Sequence, residues 1–165
     1  MMSTDRISRQ AGWVSVKRLP KGPNGRALCR RCGQEVPKGR LTFCSESCVH
    51  EWKITTNPGY VRQCLERRDH GVCQVCGLDC GATRRGIGRL HFRDWQDRAR
   101  ALYPWGIKDP TRSLWEAHHV VAVSRGGGEC GLGNYQTLCW RCHRIETRKL
   151  RRNKEATHES IVSTG

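Results

Sequence analysis

Apolar residues are scarce in this chain of 165, at 36%, and six of them are tryptophan. A large hydrophobic core is therefore excluded, and the fold needs staples of another kind. No apolar run approaches the length of a membrane span, and residues 1–10 are polar, so an intracellular protein, cytoplasmic or DNA-associated, is expected. Acids are scarce too: fifteen Asp and Glu stand against thirty Lys and Arg, a net charge of +15. A field of that sign concentrates polyanions, and nucleic acid is the expected partner. A membrane surface would ask for an amphipathic lysine-rich helix beside an anchor, and none is legible.

What is plentiful is cysteine, eleven in all. An odd count, clustered as C-x2-C and C-x3-C in a chain expected to be intracellular, points to thiolate ligation of zinc rather than to disulfides. Cys29-x2-Cys32 and Cys44-x3-Cys48 supply one set of four thiolates, as a closed tetrahedral structural site requires. Cys73-x2-Cys76 is half of a second set, and Cys139-x2-Cys142 is its distant partner. Two complete sets leave Cys64, Cys80 and Cys130 as spare thiols, with Cys64 reading as a small buried hydrophobe.

Residues 1–26 have no apolar period and end in KRLPKGPNGR, so a flexible basic arm is expected. Residues 27–57 form the four-cysteine finger, ending in a short helix from about Ser45 to Thr56 that Asn57-Pro58 stops. Residues 58–70 predict a second helix, capped by Asn57 and released at Gly71, with Val61, Cys64, Leu65 and Arg68 on one face. Residues 81–113 read as an insertion, arginine-rich at its start, in which RDWQDRARALY forms one helix. The main domain is expected to span residues 58–155, with a disordered tail over 156–165.

The stretch on which the chain turns is 114–152. Residues 113–123 predict a strand, SRGGGECGLG a glycine-rich loop, and Asn134 to Leu138 a second strand. His143 onward predicts a helix, since neither proline nor glycine follows until Gly165. Strand alternation places Glu116 and His118 on one face and turns His119 to the other. His118, His119 and His143 thus gather beside the second thiolate set, in a pattern that points to a metal-dependent site rather than to scattered surface histidines. Arg144, Arg148, Lys149, Arg151 and Arg152 follow on the same helix and suit sequence-independent phosphate contacts.

Taken together, Cys73-x2-Cys76, Glu116-Ala-His118-His119, Gly126-Gly127 and Asn134-x-Gln136-x-Leu138-Cys139-x2-Cys142-His143 resemble the HNH endonucleases. The His-His pair resembles that of colicin-type DNases, and the preceding finger resembles the HNH domain of certain DNA annealing helicases. The resemblance covers 27 to about 152. It implies a small α+β, zinc-stabilised fold, a ββα-metal core preceded by a four-cysteine zinc finger and a helix, and a DNA nuclease that leaves 5′-phosphate and 3′-hydroxyl ends. It implies His119 as general base, Asn134 as the residue that orients it, and Glu116 as an acid near the base. His118, where most of the family has Asp, and His143 would hold the catalytic cation. Thr147 stands where the colicin type has a further histidine.

The expected cofactors are two structural Zn2+ and one catalytic divalent metal, Mg2+, Mn2+, Ni2+ or Zn2+, with nitrogen donors tilting the choice away from Mg2+. No small-molecule cofactor is expected. One such site cuts one strand, so a double-strand break implies a homodimer or two visits. A non-catalytic zinc-finger DNA-binding module, or an RNA- or structure-specific nuclease, is the rival expectation.

Overall fold

A computed structural model describes residues 12–89, 95–103 and 113–162. The first eleven residues of the expected arm, parts of the expected insertion including Arg93, and the last three residues of the expected tail lie outside them. The chain divides into two compact units. One comprises residues 1–63 with 122–133, the other residues 64–121 with 134–165.

In the first unit, the described part of the expected basic arm is packed rather than free. Val14, Leu19 and Ala27 are buried together with Val16 against them. The chain turns back through residues 22–26, with bridges pairing Lys21 to Ala27 and Leu28 to Glu35. Glu35 holds that turn: its carboxylate accepts from the Asn24 amide at 2.8 Å and from the Arg26 backbone N–H at 2.9 Å. Gly22 is required there, because a Cβ would lie 2.7 Å from the Glu35 side chain. One 3-10 turn forms at Val16–Arg18 ahead of the prolines and glycines, and three apolar side chains and one carboxylate are enough to order the segment.

The finger that follows is closed at Cys29 and Cys32 by a turn with Gly33 at φ +75°. Helix α1 spans Glu46–Thr56, and the Ser45 hydroxyl caps it by accepting from the Cys48 N–H at 3.2 Å. The finger buries few apolar side chains, and a buried arginine fills the gap. The Arg30 guanidinium lies 4.3 Å above the Trp52 ring and 5.6 Å from that of Phe43, and donates to the Gly12 carbonyl. Helix α2, Pro58–Asp69, starts with the Asn57 side chain accepting from the Tyr60 N–H.

The last turns of α2, from Cys64 onward, belong to the second unit. Leu65 is fully buried there and Cys64 nearly so, as the shared apolar face predicts. Helix α3, Cys80–Gly88, lies where the sequence shows no element. Asp79 starts it, accepting from the Ala82 N–H at 2.7 Å, and buried Cys80 and Ile87 anchor its inner face. Its three glycines mask the helical period in the sequence. Helix α4, Trp95–Leu102, falls within the predicted RDWQDRARALY segment.

Strands β1 (Trp115–His119) and β2 (Tyr135–Cys139) pair antiparallel, with His118 opposite Gln136 and His119 opposite Tyr135. Helix α5, Trp140–Val162, follows without a break. It runs through 156–162, most of the expected disordered tail, because nothing in that stretch stops a helix before Gly165. The class is thus α+β, with strand, loop, strand and helix in the predicted order. No helix among the described residues is long and apolar enough to cross a membrane.

A buried charge fixes β2 to the end of α2. Asp69 accepts from the fully buried Thr137 hydroxyl at 2.7 Å and from both Nε and Nη2 of Arg68, at 2.7 and 2.9 Å. Arg68 Nη2 also donates to the Tyr135 carbonyl at 2.8 Å. These bonds to Arg68 first, and to Thr137 against the opposing effect of burial, hold the Asp69 carboxyl below the usual carboxylate range. Because the folded value is the lower one, the stabilisation is complete above the unfolded value of about 3.9 and is lost as pH falls below it. Asp69→Asn in metal-replete protein is therefore expected to lower urea stability at pH 7 by about 1–3 kcal/mol. It should also flatten the acid limb of the stability profile, as read by urea titrations between pH 3 and 7, since the substituted amide cannot ionise.

Candidate metal centres and active site

Four cysteine sulfurs converge in each unit. Cys29, Cys32, Cys44 and Cys48 form one group and Cys73, Cys76, Cys139 and Cys142 the other, with all donor atoms within 4.8 Å of one another. The separations are 3.5 Å for Cys32–Cys44, 3.4 Å for Cys44–Cys48 and 3.7 Å for Cys76–Cys139. A tetrahedral metal with sulfur at about 2.3 Å sets neighbouring sulfurs about 3.8 Å apart, so both groups fit such an ion. Cys80, although buried four residues after Cys76, is in neither group, and nor are Cys64 and exposed Cys130.

The local electrostatics show why each group needs a cation. Burial raises the Cys73 thiol, but N–H donors from Cys139, Cys76 and Val75 outweigh it and bring the group to about 7. Cys29 reaches about 7 in the same way, through N–H groups of Cys32, Cys44 and Arg31. Further ionisation is opposed. Burial first, and then the neighbouring sulfurs of Cys139, Cys76 and Cys73, push the Cys142 thiol far above its ordinary range. One thiolate per group is stabilised by the backbone alone; four require a positive ion among them.

The second group is also the hinge of the histidine site. Cys139 ends β2, and its sulfur accepts from the Cys142 N–H in the first turn of α5. His143 follows at once. The start of α5 is held further by the Trp140 N–H on the Leu114 carbonyl and by the Arg141 N–H on the hydroxyl of buried Tyr103. His143 is therefore placed against β1, where its ring meets that of His118 edge-on, with centroids 5.3 Å apart. Burial, and then the proximity of His143, lower the His118 pKa, which favours the neutral ring that a metal ligand must be.

His119 belongs to a different environment. Its ring lies 4.2 Å from that of Tyr135, its cross-strand partner, tilted by 44°. Asn134 closes the base of the intervening loop at two points, accepting from the Val121 N–H at 2.7 Å and donating to the Val121 carbonyl at 3.0 Å. The Val120 N–H bonds to the Asn134 carbonyl at 2.8 Å, so the backbone just past His119 is fixed as well as its paired strand. Glu116 lies two residues before His118 on β1 and is half-buried.

Arg144, Arg148, Arg151 and Arg152 are exposed and fall within a sector of roughly 100° of α5, at about 100° per residue. Lys149 lies outside that stripe, and its ammonium is paired with Glu146 at 2.7 Å. The structure thus brings His118, His119, His143 and Asn134 into one unit with the second cysteine group. It also adds two features that the sequence does not announce. One is the Tyr135 ring against His119. The other is the Arg68–Asp69 pair that holds the backbone of Tyr135, for which the only signal is an arginine on the apolar face of a helix.

Residues 106–149 match the model of a family described as HNH endonuclease. The human DNA annealing helicase and endonuclease ZRANB3 is 30% identical over 162 residues, covering 84% of this chain and 15% of its own length. The protein of that name from Bos taurus is 31% identical over 162 residues, with the same coverage. The chain thus spans about 15% of the length of the curated relatives it matches. The crystal structure of the human ZRANB3 HNH domain shares the fold, with a TM-score of 0.53 at 23% identity over 64% of this chain and 98% of that one.

Membership of the cysteine groups can be tested by loading the chain with Co2+ and following sulfur-to-metal charge-transfer absorption. Cys142→Ala should remove the contribution of one group, about half of the total, whereas Cys80→Ala should leave the absorption unchanged. Undiminished absorption in the Cys142 variant would take that residue out of the group.

Proposed function

The chain belongs to the HNH endonuclease family, and we propose that it is a metal-dependent DNA endonuclease. The observation that carries this reading is the division of two adjacent histidines by the strand that bears them. His118 faces His143, and His119 faces Tyr135. One face thereby offers two imidazoles to a cation, while the other keeps a single imidazole apart for a proton. Two nitrogen donors leave coordination positions open for phosphate oxygens, and suit Mn2+, Ni2+ or Zn2+ better than Mg2+. When bound, the cation would supply charge stabilisation to the phosphate and its leaving oxygen.

The chain's own residues do the rest. His119 takes a proton from the water that attacks phosphorus. Cleavage of the bond from phosphorus to the 3′ oxygen, which takes a proton from solvent water as it departs, then leaves a 5′-phosphate and a 3′-hydroxyl. Tyr135 limits the rotation of the His119 ring, and the Asn134 clamp keeps the strand end from fraying, so the base is held before substrate arrives. The two cysteine groups hold structural zinc, closed sites whose four sulfurs leave no position for substrate. Arg144, Arg148, Arg151 and Arg152 bind the DNA backbone without reading bases.

Plasmid nicking with added Mn2+, Ni2+ or Mg2+ tests the chemistry. His119→Ala should lower the rate by about 10²- to 10⁴-fold while leaving the circular dichroism spectrum and DNA binding unchanged. A fully active His119→Ala enzyme would reject the assignment, and a wild type inactive with every metal would favour a DNA-binding module without catalysis. The arginine stripe is tested by salt dependence. Arg148→Ala combined with Arg152→Ala should reduce the slope of log K against log salt by about 1–2, at about 0.9 for each duplex phosphate left unneutralised.

A further inference from the structure

We propose that Arg68 is a positioning residue for the base at His119, acting through Tyr135. The inference rests on the reading of His119 as general base and deepens it by naming what holds the neighbouring ring in place. An arginine paired with an aspartate at a helix end is ordinarily a stabilising ion pair, and that role alone would leave the chemistry on β1 untouched. The register of the sheet gives Arg68 a second role. The Val120 N–H bonds to the Asn134 carbonyl, which makes those two a hydrogen-bonded pair. By alternation the next pair, His119 and Tyr135, is not one. Such pairs stand closest, with Cα atoms about 4.5 Å apart, and here the two rings are in contact. They also turn their backbone groups away from the partner strand.

The Tyr135 carbonyl therefore faces the outer edge of the two-stranded sheet. Thr137, two residues on, turns its carbonyl the same way, and the Gln74 N–H beside Cys73 meets it at 2.9 Å. At Tyr135 the donor is a side chain, Arg68 Nη2, at 2.8 Å. That guanidinium is not free to swing. Nε and Nη2 also hold the two oxygens of Asp69, at 2.7 and 2.9 Å. Asp69 in turn accepts from the buried Thr137 hydroxyl at 2.7 Å. One planar fork thus grips β2 at alternate residues, directly at Tyr135 and through Asp69 at Thr137, a geometry that suits arginine and not a point-charge ammonium. Tyr135 is the first residue of β2, where a strand frays most readily. Asn134 clamps the residue before it, and Arg68 fixes the carbonyl of Tyr135 itself. The ring carried on that backbone packs 4.2 Å from the ring of His119, so the orientation of the base depends on the fork.

Single-turnover nicking at saturating DNA, by the full chain with both cysteine groups loaded, separates positioning from stability. Arg68→Met keeps the stem of the side chain and should lower the rate by about ten- to a hundredfold, as misplacing a reacting group does. The His119 ring protons, identified by NMR from their loss in His119→Ala, should move in Arg68→Met toward their positions in Tyr135→Leu, which lacks the aromatic ring. In a His119→Ala background, Arg68→Met should cost no further rate, because the group it positions is already gone. Should Arg68→Met leave Asp69 unpaired and the chain unfolded, its combination with Asp69→Asn removes both charges and carries the same expectations. A wild-type rate in a folded Arg68 variant would overturn the proposal. So would His119 resonances that stay in place, or an equal further loss of rate in the His119→Ala background. Each of those results leaves the base itself standing, provided His119→Ala alone is impaired. A fully active His119→Ala enzyme, or an inactive wild type, would overturn the base and the role of Arg68 together.

Discussion

Cys139 is the point through which the rest of the second unit is arranged. It closes β2, it caps the first turn of α5 through its sulfur, and it belongs to the second cysteine group. One residue thereby fixes the angle at which strand passes into helix. Since His143 lies four residues on and His118 sits on the paired strand, the meeting of those two rings follows from that angle. A chain with so little apolar material has few other means of fixing it. Leu65 and Leu138 are fully buried, yet two such side chains contribute only about 1.5–3 kcal/mol each. A four-sulfur group closed by an ion supplies both energy and direction, which burial alone does not.

The same economy recurs across the molecule, where polar and charged groups take places that hydrophobic residues fill in larger domains. Arg30 lies between aromatic rings in the finger, Glu35 gathers a turn around its carboxylate, and Asp69 ties α2 to β2. Arg30 and Asp69 would be costly to bury unpaired, and each is paired. These pairings are directional, so they set register as well as stability. Arg68 holds the Tyr135 carbonyl, Tyr135 packs on His119, and a charged pair at a helix end thereby reaches the proposed base through two contacts.

Adjacent histidines in separate environments are a consequence of the pleat. On a helix, neighbours in sequence diverge by about 100° and would crowd one cation or leave it together. A strand sends them to opposite faces, so a ligand and a base can be consecutive without sharing an environment. One face holds His118 with a depressed pKa, beside His143, while the other holds His119 against an aromatic ring. The net charge of +15 is of the sign that concentrates polyanions.

What the sequence determined by itself is what depends on short-range spacing. The paired cysteines, the two strands, the caps at Ser45 and Asn57 and the uninterrupted run after His143 are local matters, and all could be read from residue type and interval. Helix α3 was hidden because its glycines weaken the only local signal a short helix has, and the order of residues 12–26 was hidden because it comes from contacts with Glu35 rather than from any period. Tertiary structure alone decided where the spare cysteines lie, with Cys64 and Cys80 buried and Cys130 exposed. It alone decided that Asp69 reaches Thr137, 68 residues away. Spacing fixes which residues can share a face; only the closed chain decides which faces meet, because that depends on bonds between segments that no local pattern encodes.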